Sequence, residues 1–309
     1  MRTYRRRLYA YVLVAFSLIS WSAARANSEI VKLIAEREVP DCPSPCQRHA
    51  IVFIHGIWGS ADTWKNAETG KSWLALIRED SDLSDFDIFR LDYATMFANS
   101  GPSAEVILES MVTALGPVLK RDYRSVQFIT HSLGGLILRG YIVHLKSKTM
   151  HRDLSKIRLG LLMASPGRGS YWGDVARVFS ESSALRILGD IKENDWAQLV
   201  GGLMLNISEK HESLGCPSLR LYGAYEEEKT LGVLVVNKES ASSGVFSSEQ
   251  PVHSPQGFRR NHSTIVKPRD ANDEVYLWAK SLLRDCADAG KSCPVPKNPF
   301  SPDCYFEVH

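Results

Sequence analysis

The stretch FITHSLGGLIL, Phe128 to Leu138, sets one serine between two kinds of structure. Phe128, Ile129 and Thr130 favour a strand, whereas Leu136, Ile137 and Leu138 suit a buried helix. Ser132 therefore falls at a strand-to-helix turn. In a parallel sheet, ligands bind beyond the carboxyl ends of the strands, so a tight turn there pushes the serine side chain into a cleft. Gly134 and Gly135 remove side chains that would collide with the neighbouring strand and helix. A helix that starts immediately afterwards aims its unpaired N–H groups at the serine, and the Leu133 N–H is then placed to stabilise an oxyanion. This is the nucleophile-elbow pattern G-x-S-x-G with Thr130 in place of the first glycine. The turn must leave space for the threonine methyl group.

A serine hydroxyl is a poor nucleophile at neutral pH and needs a base, which in turn needs an orienting carboxylate. The base should come late, past the last strand. RRNHSTIVKP supplies His262 there, ahead of His253 in the looser QPVHSPQG. His131 neighbours the serine but should point away from it, and His55 belongs to a strand end. The acid should lie between Ser132 and His262 in sequence. LYGAYEEEKT offers Glu226, close behind a strand, and Glu239 in VVNKESA is the alternative. Glu227 and Glu228 read as a solvated run, and Asp190 and Asp195 fall in an insertion. A second oxyanion donor fits FIHGIWGS, where the chain turns after a strand and the Ile57 N–H faces the cleft.

These residues need elements to carry them. HAIVFIHG, FDIFRLDY, SVQFITH, IRLGLLMAS, SLRLYGAY and LGVLVVNK read as strands, most of them continuously apolar. SAEVILESMVTALGPVLKR has helical spacing interrupted near Gly116 and Pro117. LGGLILRGYIVHL reads as a buried helix. DANDEVYLWAKSLLRDC closes the chain as an amphipathic helix, with Asp270 or Asn272 as its cap. Strands alternating with helices imply a mostly parallel sheet covered on both faces, an α/β fold. The interval 167–215 breaks the alternation with Trp172, Val175, Phe179, Leu185, Leu188, Trp196 and Leu203 among charges. It is expected to form short amphipathic helices, either an ordinary insertion or a lid over an apolar substrate.

The composition sets limits. The chain has 309 residues, 44% of them hydrophobic, and a formal net charge of +2 that resides mostly in Arg5 to Arg7. No nucleic-acid footprint is indicated. MRTYRRR, the apolar LYAYVLVAFSLISW and SAARA follow the order of a secretory signal, with cleavage expected after Ala26. The apolar run is short for a bilayer span. The protein is therefore expected to be exported, periplasmic or secreted, or membrane-anchored if the signal stays. Cys42, Cys46, Cys216, Cys286, Cys293 and Cys304 form an even set that points to disulfides in an exported chain. Their spacings do not form two compact ligand pairs for zinc. Expected boundaries are a signal over 1–26, a catalytic domain over 27–285 and a Cys/Pro-rich tail over 286–309. Asn206 and Asn261 begin N-x-S sequons, and a glycan on Asn261 would crowd His262, so that site is expected to be unmodified.

VFIHGIWGSADTW, FITHSLGGLILRGYI, MASPGRGS and NHSTIVKP together resemble the α/β-hydrolase superfamily, over about residues 49–285. The lipase and esterase branch that includes GPI inositol-deacylase-like and serine-active-site-containing proteins is the most similar group. There T-H-S-x-G-G commonly replaces G-x-S-x-G, and a VVxxxSA strand, here VLVVNKESA, precedes the motif carrying the base. The resemblance implies a serine hydrolase of esters, often lipid esters, with Ser132 and His262 as nucleophile and base. It implies no metal or organic cofactor. The expected partner is an ester or lipid substrate, with a membrane surface as one place to meet it. Acyl transfer or amide hydrolysis by the same residues stays open. So does a non-catalytic binding protein, or a tethered scaffold, that kept the fold and tolerates Thr130.

Overall fold

The computed structural model describes residues 30–39, 48–57, 59–93, 102–121, 123–167, 219–242 and 254–288. Its strands are β1 (Val31–Arg37), β2 (His49–Ile54), β3 (Phe86–Tyr93), β4 (Ser125–His131), β5 (Ile157–Met163), β6 (Arg220–Glu226) and β7 (Gln256–Phe258). Its helices are α1 (Trp73–Glu79), α2 (Ala104–Lys120), α3 (Leu133–Ser147), α4 (His151–Lys156), α5 (Lys238–Ser242) and α6 (Glu274–Ala287). The strands form one sheet in the order β1-β3-β2-β4-β5-β6-β7. β1 runs antiparallel to β3, and the other pairings are parallel.

Every residue of β2, β4 and β5 is buried, which requires cover on both faces of the sheet. That is why these strands read as continuous apolar runs without alternation. Ile54 pairs with Thr130, His131 with Met163, Met163 with Ala224, and Glu226 with Phe258. Parallel pairing in this register brings the carboxyl ends of β2, β4, β5 and β6 to one edge. After β2, the chain is pinned by a capped turn at Ala61–Trp64, whose Ser60 and Thr63 bond reciprocally. Trp64 is fully buried, its ring edge-on to Phe53 at 4.9 Å.

Several elements depart from the sequence reading. LGVLVVNK is not a strand. Thr230 and Val233 exchange backbone hydrogen bonds around a tight turn, with Leu231 at φ 50° and Gly232 at φ 85°. Two consecutive left-handed residues cannot continue an extended chain. The next N–H groups, of Val235 and Val236, go to a carboxylate rather than to a ladder. Beside β6 stands the three-residue β7 instead, too short to leave a periodic signal. β1 comes from what read as a mixed lead-in, because an edge strand with mostly half-buried residues has no clean alternation. α1, capped by Ser72, was not expected either.

α2 passes unbroken through Gly116 and Pro117. A proline in a helix interior costs about 3 kcal/mol through its missing N–H and its ring clash. Burial of Ile107, Leu108, Met111, Leu115, Val118 and Leu119 along the same helix outweighs that. α6 is capped by Asp273, not by Asp270 or Asn272. The Asp270 carboxylate is engaged one turn earlier, on the Asn272 N–H. Asp273 accepts from the Val275 and Arg269 N–H groups and from Arg260. The signal over 1–26, nearly all of the 167–215 interval, and the tail beyond Asp288 lie outside the described residues. Among the described residues the sole cysteine is Cys286, which is disulfide-bonded. Cys42, Cys46, Cys216, Cys293 and Cys304 lie outside them.

Candidate active site

Ser132 follows β4 directly and caps α3 with φ 51° and ψ −120°, a conformation that L-residues seldom adopt. Such strain costs on the order of 1–3 kcal/mol and persists only where surrounding packing imposes it. The Ser132 N–H donates to the Met163 carbonyl at 2.9 Å, so β5 holds the turn from one side. A Cβ on Gly134 would collide with the carbonyl oxygens of Ile54 and His55, and one on Gly135 with the Ser165 side chain. Both glycines let α3 sit against the strand ends. Gly135 also makes room for Thr130, whose Oγ1 would lie 3.1 Å from a Cβ there and donates to the Leu161 carbonyl at 3.1 Å. The first glycine of the pattern is thus dispensable here because Gly135, the residue after the pattern, vacates the space.

His262 lies on an irregular loop between β7 and α6 and is 4% exposed. Its Nε2 is 3.0 Å from Ser132 Oγ, and its Nδ1 is 2.8 Å from Glu226 Oε2. Glu226 is the last residue of β6 and is 1% exposed. Its Oε1 accepts from the Val235 and Val236 N–H groups, the latter at 3.0 Å. A carboxylate that accepts only on both oxygens requires the hydrogen at Nδ1 of His262, which leaves the Nε2 lone pair facing the serine hydroxyl. Glu227 and Glu228 are exposed, as is Glu239, which sits in the first turn of α5 rather than against His262. His253, Asp190 and Asp195 lie outside the described residues.

Leu133 is the first residue of α3, so its N–H has no acceptor within the helix. Ile57 lies on the loop after β2, and this loop runs beside the serine: a Cβ on Gly56 would stand 2.9 Å from the Cβ of Ser132. His55 is buried and held in place. Its ring stacks on Tyr93 with centroids 4.5 Å apart, and the Tyr93 hydroxyl donates to its carbonyl at 2.8 Å. Burial lowers the His55 pKa, favouring the neutral ring. Two contacts had no sequence signal. His131 Nε2 is 2.8 Å from the His262 carbonyl, and Thr230 Oγ1 accepts from the His262 N–H at 2.9 Å. Among the described residues, no group of three or more His, Cys, Asp or Glu side chains could hold a metal ion.

A serine on a strained strand-to-helix turn of a mostly parallel sheet, with an acid and then a histidine following in chain order, decides the architecture. The fold is that of the α/β hydrolases. Residues 44–171 match a family described as "Putative serine esterase (DUF676)". The match takes in the β2 loop and Ser132 and ends before Glu226 and His262. Solved structures similar to it include phospholipase PlaB from Legionella pneumophila in complex with thio-NAD. That likeness has 14% identity and a TM-score of 0.42, over 58% of this chain and 38% of that one. Bacillus licheniformis lipase BlEst2 in its mature form shares 14% identity over 76% of this chain and 92% of that one, with a TM-score of 0.40. A structure of the metagenome-derived lipolytic enzymes LipS and LipT shares 12% identity over 82% and 96%, with a TM-score of 0.49. No curated protein matches the chain in sequence.

Proposed function

We propose that this α/β hydrolase is an exported carboxylic-ester hydrolase that works through an acyl-enzyme. The observation that most supports the reading is the pair of hydrogen bonds joining His262 to Ser132 at 3.0 Å and to Glu226 at 2.8 Å, all three groups being buried. Ser132 Oγ attacks the ester carbonyl as its proton passes to His262 Nε2. Glu226 stabilises the imidazolium that forms. The N–H groups of Leu133 and Ile57 hold the oxyanion of the tetrahedral intermediate, where one donor is worth roughly 3 kcal/mol. Collapse expels the alcohol, which takes the proton back from His262. Water then attacks the acyl-serine by the same route in reverse, releasing the acid and restoring the hydroxyl. No step needs a metal or an organic cofactor.

The decisive experiment is turnover of p-nitrophenyl esters together with labelling by a fluorophosphonate. Wild type turns over and labels, whereas Ser132→Ala stays folded and does neither. A wild type that fails to label would instead make the chain a binding protein on this fold. Lipid esters are the proposed natural class, because the interval 167–215, with its tryptophans and leucines, follows β5 in the sequence, and the carboxyl end of β5 lies beside Ser132. Under that reading, activity rises with acyl-chain length or at an interface, and indifference to both argues for small soluble esters. Export rests on the basic and apolar N-terminal segment, and N-terminal sequencing of the mature protein tests cleavage after Ala26.

A further inference from the structure

A histidine that acts as a general base is usually discussed through its ring. Here the backbone of that residue is held as well. His262 lies on a turn outside helix and strand. Two side chains hold its peptide groups. The His262 N–H donates to Thr230 Oγ1 at 2.9 Å, and the His262 carbonyl lies 2.8 Å from His131 Nε2. A carbonyl only accepts, so the hydrogen of His131 is on Nε2. Burial pushes the His131 pKa down to about 3, with nearby His262 adding to the effect, so the ring stays neutral and keeps a single N–H to give.

The origin of the two grips is informative. His131 directly precedes Ser132, and its ring centroid is 5.0 Å from that of His262. Thr230 sits on the turn that continues from Glu226 and returns Val235 and Val236 to it. Each of the other two members of the triad therefore has a neighbour that holds the base. The flanking residues add local order. The Asn261 side chain accepts from the Ser263 and Thr264 N–H groups at 3.0 Å each.

We infer that Thr230 and His131 are positioning residues that clamp the His262 peptide at its N–H and its carbonyl, and so set the distance from Nε2 to the serine hydroxyl. The inference rests on the hydrolase reading above. Misplacing a reacting group by about 1 Å costs about 100-fold in rate, and releasing one side of a two-sided clamp is expected to cost about tenfold. The variants are chosen to keep size and change only the hydrogen bond. Thr230→Val loses the acceptor and Thr230→Ser keeps it. His131→Phe loses the donor and His131→Gln can restore one.

The test measures kcat, KM, the rate of fluorophosphonate inactivation and thermal stability for each variant. Thr230→Val and His131→Phe are expected to lose kcat and inactivation rate together, with KM unchanged. Thr230→Ser should recover most of the loss at the same melting temperature as Thr230→Val. The double variant should fall short of the product of the single losses, because both act on one peptide unit. His131 is buried beside the elbow, and if His131→Phe does not fold, the Thr230 pair alone decides. Unchanged kcat in Thr230→Val, or equal losses in Thr230→Val and Thr230→Ser, overturns the clamp while leaving the hydrolase reading intact. A wild type without turnover or labelling removes the reading itself, and the clamp with it.

Discussion

At the scale of single residues, the site combines strain with hydrogen bonding. Ser132 holds φ 51° and ψ −120°, which glycine adopts at little cost and alanine does not. Ser132→Gly and Ser132→Ala should both be inactive, but the glycine variant should be the more stable by about 1 kcal/mol. Urea denaturation of the two proteins checks this, and equal midpoints would mean that the turn is not strained. Glu226 and Glu239 are distinguished in the same manner. Glu226→Gln leaves an amide that must either turn its NH2 on the Val235 and Val236 N–H donors or turn it on Nδ1 of His262, which then carries its hydrogen on the wrong nitrogen. A kcat lower by about 10^3 to 10^4 is expected, in line with the loss when a triad acid becomes its amide. Glu239→Gln, on the exposed face of α5, should keep wild-type kcat. Steady-state kinetics of the pair shows which carboxylate serves the base. Ser132 and His262 were legible in sequence because each stands in a local motif. Glu226 was one of three consecutive glutamates, and the end of β6 decides which is buried. The role of His131 was not legible, since its partner is 131 positions away in the chain.

At the scale of elements, the segment from Glu226 to α5 shows how a misread stretch serves the site. Val235 and Val236 are buried and β-branched, which is a strand signature, yet the chain turns at Leu231 and Gly232 and spends these two amides on Glu226. An apolar run reports burial, which holds here for these two valines; it does not report what the N–H groups bond. Leu231 is 87% exposed in a left-handed conformation, an unfavourable place for a γ-branched apolar residue. Leu231→Asn should stabilise the protein by about 0.5–1 kcal/mol, because asparagine tolerates this conformation. A lower melting temperature for that variant would mean the turn is shaped by something other than local backbone preference. The glycines of α3 give a further contrast. Gly134→Ala meets backbone carbonyls at the end of β2, whereas Gly135→Ala meets the side chain of Ser165. Gly134→Ala should therefore be the more destabilising, and Ser165→Gly should rescue only Gly135→Ala, as read by melting temperature.

At the scale of the whole molecule, acid sensitivity follows from buried neutral histidines at opposite ends of the sheet. His49, 2.7 Å from Ser125 Oγ, is pushed down to about 4 by burial, and His131 to about 3. In the unfolded chain both titrate near 6.5. Above that value neither state binds the protons, so the stability held by keeping these rings neutral is fully present. As the pH falls toward 4, the unfolded chain takes up protons that the folded chain refuses, and stability is lost. Each fully titrating histidine contributes a slope of about 1.4 kcal/mol per pH unit. The urea midpoint should fall clearly between pH 7 and pH 5, and a constant midpoint would contradict the burial of these rings.

The strands β2 to β6, the helices α2, α3 and α6, the strand-to-helix turn at Ser132 and the position of His262 before the closing helix were written in the chain, because local periodicity and turn chemistry are encoded by neighbouring residues. The edge strands β1 and β7, the acid, and the grips on His262 were decided by the tertiary structure. Those features depend on which strand ends a parallel sheet brings to one edge, and that depends on pairings between residues far apart in the chain.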